Sequence, residues 1–210
     1  GSSSGSNAAI AAGFCAGAMG SDTSGSIRNP AGWCAASGLK PTYGLVSRRG
    51  VFPLAPSFDT VGPMAWTAED CALMLDVLAG HDPLDPASAR AEPVVYSERL
   101  SQPIAGMRIG LVKHWYAHDK GASDDMVRGI DEAAKVLRGL GCVVDEITLP
   151  ALLDYQACAR FIISSETHSI YRRDVDRTPM KFGYTTRRRV QLGAFITAEQ
   201  YVNATRFRRK

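Results

Sequence analysis

Apolar residues in the second half of the chain recur at the spacing of one helix face, and extended apolar runs lie on both sides of that segment. From about residue 123 the apolar positions alternate in steps of four and three, which predicts a helix; they are Met126, Ile130, Ala133, Leu137 and Leu140. The runs MRIGLVK and CVVDEITL before and after it are typical of strands. Strand, helix and strand of these lengths predict a βαβ unit with a parallel pair of strands. Helical patterns follow at about residues 152–176 and 197–210.

Small residues dominate the start of the chain, GSSSGSNAAIAAG. Residues 7–15 favour a helix, with Ser4 or Ser6 available as its N-cap. AGAMG then predicts a short buried strand, and residues 20–25 predict a loop. Two segments rich in serine and glycine therefore lie on either side of one helix and one strand.

The segment after the second serine loop predicts a short helix and then turns. In RNPAGWCAASG, Asn29 can cap the helix, Pro30 suits its first turn and Gly38 can end it. A longer helix is predicted in TAEDCALMLDVLAG, where Thr67 and Asp70 have the spacing of a capping box. Together with the βαβ pattern these elements predict an α/β protein.

Composition narrows the class of protein. A chain of 210 residues with 45% apolar and 21% charged residues is typical of a globular protein. The sequence contains neither an apolar run of about 18 residues nor a signal-peptide pattern, so we expect a cytoplasmic protein with no membrane association. Five widely spaced cysteines without a CxxC pair favour free thiols.

Basic residues are concentrated at the end of the chain. Residues 171–210 hold eleven basic and three acidic side chains. Such a stretch can contact nucleic acid, but no recognition module accompanies it, so a solvated helix face is the favoured interpretation.

The two serine segments are expected to meet at one end of a sheet. A helix of about eleven residues advances roughly 17 Å, and a strand of about five residues returns roughly the same distance. Ser2 and Ser26, which are 24 positions apart, can therefore face one another. Small residues before a helix let backbone amides converge on one point, which suits either an oxyanion or a phosphate group.

The base that would activate such a serine is harder to identify. The sequence places no acidic partner beside any of its histidines, which are His81, His114, His118 and His168. The GxSxG motif is also absent. A buried neutral lysine, with a second serine relaying the proton, is the remaining route.

The segments GSSSGSNAAIAAG, GSDTSGSIRNPAGWCAASGLKPTYGLVSRRGVF and SFDTVGPMAWTAEDCALML resemble the amidase signature family of serine hydrolases. The resemblance covers residues 1–80 closely, and SSETHSIY and TAEQYVNATRFRRK resemble it more weakly. It implies an α/β/α sandwich with a mixed or parallel sheet, incomplete in this chain. We take residues 1–80 as the signature core with both serine loops and residues 81–210 as the remainder of the same domain.

The resemblance also implies roles for particular residues, as a Ser–cis-Ser–Lys triad. Ser26 occupies the nucleophile position, and Ser2 matches the bridging serine, with a cis peptide bond after Gly1. The oxyanion hole would be formed by the backbone amides of Thr23, Ser24, Gly25 and Ser26. Substrate-binding positions would be Ser4, Ser21 and Arg28. We favour an ion pair with Asp22 as the role of Arg28.

The family's catalytic lysine lies before the first serine loop, so we expect it outside this chain, which would be a central piece of a longer protein. The implied function is hydrolysis of a carboxamide C–N bond of a small molecule, with no cofactor or metal. Two alternatives stay open: the A-type subunit of a tRNA-dependent amidotransferase, which releases ammonia from glutamine, and a catalytically inactive binding or scaffold fragment. Nucleic acid is not favoured as a partner, and a homo-oligomer stays open.

Overall fold

Helices and short strands alternate along the computed structural model, which describes residues 1–117 and 121–210, and the α/β class is confirmed. The strands are β1 (Gly17–Asp22), β2 (Ser37–Gly38), β3 (Thr60–Ala65), β4 (Arg108–Leu111) and β5 (Val143–Glu146). The helices are α1 (Ser4–Ala11), α2 (Arg28–Trp33), α3 (Ala68–Leu78), α4 (Lys113–Ala117), α5 (Asp124–Gly139), α6 (Leu152–Arg177), α7 (Tyr184–Leu192) and α8 (Ala198–Arg208). Short 3₁₀ segments cover Ser97–Ser101, Pro179–Lys181 and Gly193–Phe195.

The described residues form two units. The first consists of Gly1–Leu100 and Phe161–Asn203, and the second of Ser101–Arg160 and Ala204–Lys210. The division proposed from the sequence, with the signature core at residues 1–80, stays a prediction.

In the first unit, β3 is the central strand of a three-stranded sheet in the order β1-β3-β2, and both of its pairings are antiparallel. Every residue of β3 is buried. Because side chains alternate across a strand, Met64 and Val61 point to opposite faces. Met64 packs with Ile10 of α1 and with Ile27, whereas Val61 packs with Leu75 of α3. Helices therefore cover both faces of this sheet, which gives the α/β/α layering.

Local signals set several element boundaries as predicted. The capping box of α3 is present, with the Thr67 hydroxyl accepting from the Asp70 amide at 3.0 Å and the Asp70 carboxylate accepting from the Thr67 amide at 3.1 Å. By contrast, α1 begins at Ser4 with Ser3 as its N-cap and no side-chain cap bond. It starts earlier than predicted, and the Ser3 hydroxyl does not cap it because that hydroxyl is bonded to Ser21 of β1.

The second unit contains the predicted βαβ unit. Strands β4 and β5 are parallel, with Arg108 paired with Val143, and α5 connects them and contacts β5. The buried residue of α5 is Ala134 rather than Ala133, and Met126 is 57% exposed, so the predicted helix is present but its face is rotated. No helix in the described ranges is both long and apolar enough to cross a membrane.

Candidate active site

The two serine segments meet in the first unit, as the return of the chain predicts. Gly1 lies so close to Ser26 that a Cβ atom on it would be 2.6 Å from the Ser26 Cα. Ser3 is buried and its hydroxyl both donates to the Ser21 carbonyl at 3.3 Å and accepts from the Ser21 amide at 3.2 Å. These contacts join the turn before α1 to the end of β1.

The hydroxyls of Ser2 and Ser26 differ in exposure. Ser2 is exposed and Ser26 is half-buried, and within residues 1–117 and 121–210 no hydrogen bond joins them. The predicted cis bond between Gly1 and Ser2 is wrong for this structure, since no described peptide bond is cis. A cis bond before a non-proline residue costs about 3–4 kcal/mol, so trans is the conformation that such a bond adopts by default.

Asp22, at the end of β1, organises the loop that carries Ser26. Its side chain is fully buried, and Oδ1 accepts from the Gly25 amide at 2.6 Å. The other oxygen, Oδ2, accepts from the amides of Ile27 and Arg28, both at 3.3 Å, at the start of α2. Asp22 therefore caps α2 from five positions upstream of Ile27, and Asn29, which was predicted to be the cap, lies inside the helix.

Arg28 completes this arrangement by pairing with the same carboxylate. Its Nε donates to Oδ2 of Asp22 at 2.9 Å and its Nη2 donates to Oδ1 at 3.0 Å, so the ion pair favoured from the sequence is confirmed. Only one partner of the pair is exposed to solvent: the Arg28 side chain is 54% exposed, whereas that of Asp22 is buried.

The protonation state of Asp22 follows from these partners. Burial opposes its ionisation, but the hydrogen bonds from Arg28 and Gly25 and the positive charge of Arg28 outweigh burial, so the pKa of this carboxyl lies below its usual value. The hydrogen bond to Asp22 raises the pKa of Arg28. Asp22 is therefore a carboxylate at neutral pH, and it holds the loop as an anion.

The four amides predicted to form an oxyanion hole differ in whether they have a partner. The Gly25 amide donates to Asp22 at 2.6 Å, and its role in an oxyanion hole stays a prediction. Gly25 has a φ of +113°, a conformation that glycine tolerates, and a Cβ atom there would lie 2.6 Å from the Asn29 side-chain nitrogen. The amides of Thr23, Ser24 and Ser26 have no acceptor in the described part of the chain.

The predicted substrate-binding residues lie around the same loop. Ser4 is exposed and its hydroxyl donates to the Gly1 carbonyl at 2.5 Å. Ser21 is half-buried, and its backbone is held by Ser3. Arg28 donates two hydrogen bonds from its side chain to Asp22. Contact of these residues with a substrate stays a prediction.

Two buried polar residues at this site were missed by the sequence analysis. Asn7 of α1 is fully buried and its side-chain nitrogen donates to the Ile27 carbonyl at 3.5 Å. Asp59 is buried just before β3 and accepts from the Thr23 hydroxyl at 2.5 Å. A polar residue within a small-residue helix was an available signal for Asn7, whereas Asp59 has no local signal that links it to Thr23.

The remaining candidate groups are occupied elsewhere. Nδ1 of His168 donates to the Val190 carbonyl oxygen at 3.0 Å, and Nε2 of His114 donates to the Leu149 carbonyl oxygen at 3.1 Å. His118 lies outside the described residues. Among the residues that the structure describes, no group of three or more histidine, cysteine or carboxylate side chains is placed to hold a metal ion.

Comparisons with known proteins agree on one family. The sequence model of the Amidase family matches residues 1–209. The A-type subunit of the glutamyl-tRNA(Gln) amidotransferase of Alkaliphilus metalliredigens is 40% identical, and the match covers 97% of this chain and 45% of that protein. The chain thus spans less than half the length of the curated relatives that it matches along nearly its whole length.

Solved structures resemble the fold over the whole chain. A protein from an inhibitor-bound vestigial complex, related to the origins of an s-triazine catabolic enzyme, is 38% identical with a TM-score of 0.89, covering 100% of this chain and 44% of that one. The native peptide amidase of Stenotrophomonas maltophilia is 32% identical with a TM-score of 0.77, covering 97% and 46%.

Proposed function

The chain belongs to the amidase family, in its amidase signature group, and from this premise we propose that it carries the nucleophile and oxyanion loop of an enzyme that hydrolyses a carboxamide C–N bond. The observation that carries the proposal is the approach of Gly1 to Ser26, which brings Ser2 and Ser26 to one place. The Asp22 anion, which fixes the loop at Gly25 and Arg28, supports it. We also propose that the protein is located in the cytoplasm, because all five cysteines are free thiols, a state typical of a reducing compartment.

In the proposed reaction, Ser26 Oγ attacks the amide carbonyl while its proton passes to Ser2 Oγ, and the Ser2 proton passes to a general base, for which the family resemblance implies a lysine. The amides of Thr23, Ser24 and Ser26 donate to the oxyanion that forms. The C–N bond then breaks, and the amine leaves with the proton returned through Ser2. Water hydrolyses the acyl ester on Ser26 and releases a carboxylic acid.

The test is covalent labelling of the protein that carries this chain with a fluorophosphonate, followed by intact mass. Labelling adds one phosphonyl group with loss of fluoride, and Ser26→Ala is expected to abolish it. Ser2→Ala is expected to slow labelling by about 10²–10⁴-fold, since the proton relay is removed. Ser6→Ala is the matched control, because this serine lies on the first turns of α1 and its hydroxyl donates to the Met19 carbonyl, so its labelling is expected to be unchanged.

Labelling that persists in Ser26→Ala contradicts the assignment of the nucleophile. If the wild-type protein is folded and is not labelled, the result favours a catalytically inactive binding or scaffold protein, in which the loop amides hold an anion.

A second candidate function is that of the A-type subunit in an amidotransferase, and the 40% identity to one such protein along nearly the whole chain favours it. In that role Ser26 would attack the side-chain amide of glutamine, and the ammonia released would be used by a partner subunit. Co-expression with B- and C-type subunits tests it: a stable complex whose ammonia release depends on charged tRNA supports this role. Glutamine-independent hydrolysis of small amides by the protein alone supports the free-standing amidase.

A further inference from the structure

Asp59 is a buried carboxylate that bonds directly to the serine loop. Its residue is 6% exposed, and Oδ1 accepts from the Thr23 hydroxyl at 2.5 Å. The other oxygen accepts from the amides of Leu54 at 2.8 Å and Ala55 at 3.0 Å. One carboxylate thus connects the turn at residues 54–59 to the first residue of the proposed oxyanion loop.

The strand register explains why these two residues meet across 36 positions of sequence. Asp22, the last residue of β1, is paired with Thr60, the first residue of β3. In an antiparallel pair, the next residue along one strand lies opposite the preceding residue of the other. Thr23 and Asp59 therefore face each other just beyond the end of the ladder, and their side-chain bond extends it by one pair.

Asp59 is held in place independently of Thr23. The Thr167 hydroxyl of α6 donates to the Leu54 carbonyl at 3.0 Å, and Glu166 accepts from the Ser57 amide at 3.0 Å. These bonds fix the turn whose amides bind Asp59. The Asp59 carboxylate is thus a fixed acceptor, and Thr23 is the residue whose position depends on the bond.

Asp22 and Asp59 hold different parts of the loop. Asp22 accepts from the amides of Gly25, Ile27 and Arg28, all of which follow Thr23 in the chain. None of these three bonds holds Thr23 itself, whose hydroxyl is bound by Asp59. Because a misplacement of about 1 Å costs up to 10²-fold in rate, an unheld amide donor would weaken catalysis.

We propose that Asp59 is a positioning residue that acts through Thr23 to aim the first amide of the oxyanion loop. The inference rests on the proposed function, because it assumes that Ser26 is the nucleophile and that the Thr23 amide binds the oxyanion.

The experiment measures fluorophosphonate labelling of the protein that carries this chain, with the maximal labelling rate separated from the probe affinity. In Asp59→Asn and in Thr23→Val the maximal rate is expected to fall about 10–100-fold while the affinity stays within about twofold, since the donor matters only as the oxyanion forms. The double variant is expected to be no slower than the slower of the two single variants, because both substitutions act on the same contact.

Asp76→Asn is the matched control. The Asp76 carboxylate also accepts from one hydroxyl, that of Ser97 at 2.5 Å, and from the amides of Tyr96 and Ser97, but it belongs to α3 rather than to the serine loop. Its labelling rate is expected to equal that of the wild type.

The outcomes separate the two proposals. A wild-type rate in Thr23→Val, with labelling abolished in Ser26→Ala, overturns the role of Asp59 and leaves the nucleophile intact. Labelling that survives in Ser26→Ala overturns the proposed function itself. If Asp59→Asn does not fold, as circular dichroism would reveal, Thr23→Val decides alone, because it keeps the bonds from Asp59 to Leu54 and Ala55.

Discussion

Replacing Asp22 by asparagine is expected to loosen the serine loop, because an amide side chain cannot accept every bond that the carboxylate accepts. The carboxylate takes five: from the amides of Gly25, Ile27 and Arg28, and from two nitrogens of the Arg28 side chain. Asparagine keeps one accepting oxygen and puts an NH₂ group in place of the other. If that NH₂ replaces Oδ1, two bonds are lost; if it replaces Oδ2, three are lost.

The cost follows from which donors are left without a partner. Arg28 is 54% exposed, so water replaces its lost bonds and we discount them. The Gly25 amide is buried, and a buried donor left unsatisfied costs about 1–3 kcal/mol. We therefore expect Asp22→Asn to lower the free energy of unfolding by about 1–3 kcal/mol.

Urea unfolding followed by circular dichroism measures this loss, and hydrogen exchange of the peptide covering residues 22–28 locates it. Asp125→Asn is the control, since Asp125 is 87% exposed and pairs with Arg128 along one helix, so a change within about 0.5 kcal/mol is expected. If Asp22→Asn moves the urea midpoint no more than Asp125→Asn does and leaves exchange at Gly25 and Ile27 unchanged, Asp22 does not hold the loop.

Two further predictions concern the same loop. Because the pKa of Asp22 is lowered in the folded state, its contribution to stability is present at neutral pH. This contribution is lost as the pH falls below the ordinary aspartate pKa of about 3.9 and through the folded pKa. In urea titrations from pH 7 to 2, Asp22→Asn should therefore lose less of its free energy of unfolding than the wild type. Gly25→Ala should lower the free energy of unfolding by about 1–3 kcal/mol and slow labelling at Ser26, because φ is +113° and the new Cβ would lie 2.6 Å from the Asn29 side-chain nitrogen. Gly5→Ala is the control: no atom lies within 4 Å of its added Cβ, so no loss of stability is expected in thermal melting.

Features with a short-range cause could be predicted from the sequence. The capping box of Thr67 and Asp70 needs only residues three positions apart, and it is present as expected. The parallel pairing of β4 with β5 follows from the lengths of a strand, a helix and a strand. The Asp22–Arg28 ion pair also spans only six positions, within one turn between a strand and a helix.

Features with a long-range cause could not be predicted in the same way. The bond from Thr23 to Asp59 depends on the register of β1 against β3, which the intervening turns determine and no local pattern reveals. The bonds between the Ser3 hydroxyl and Ser21, which leave α1 without a side-chain cap, likewise depend on tertiary packing. The buried face of α5 was misplaced by one position because its alanines at 133 and 134 are equivalent in a hydrophobicity pattern.

These differences bear on how the proposed active site works. Two carboxylates hold the loop from opposite ends: Asp22 fixes the amides from Gly25 onward, and Asp59 fixes the side chain of Thr23. Within the described ranges neither carboxylate bonds to the Ser26 hydroxyl, so both constrain the loop rather than that hydroxyl. An oxyanion hole is effective when its donors are oriented before the charge develops, whereas a nucleophile has to move toward its carbonyl. Two carboxylates that hold the loop but leave the Ser26 hydroxyl unbonded are therefore consistent with the proposed role of Ser26 as the nucleophile.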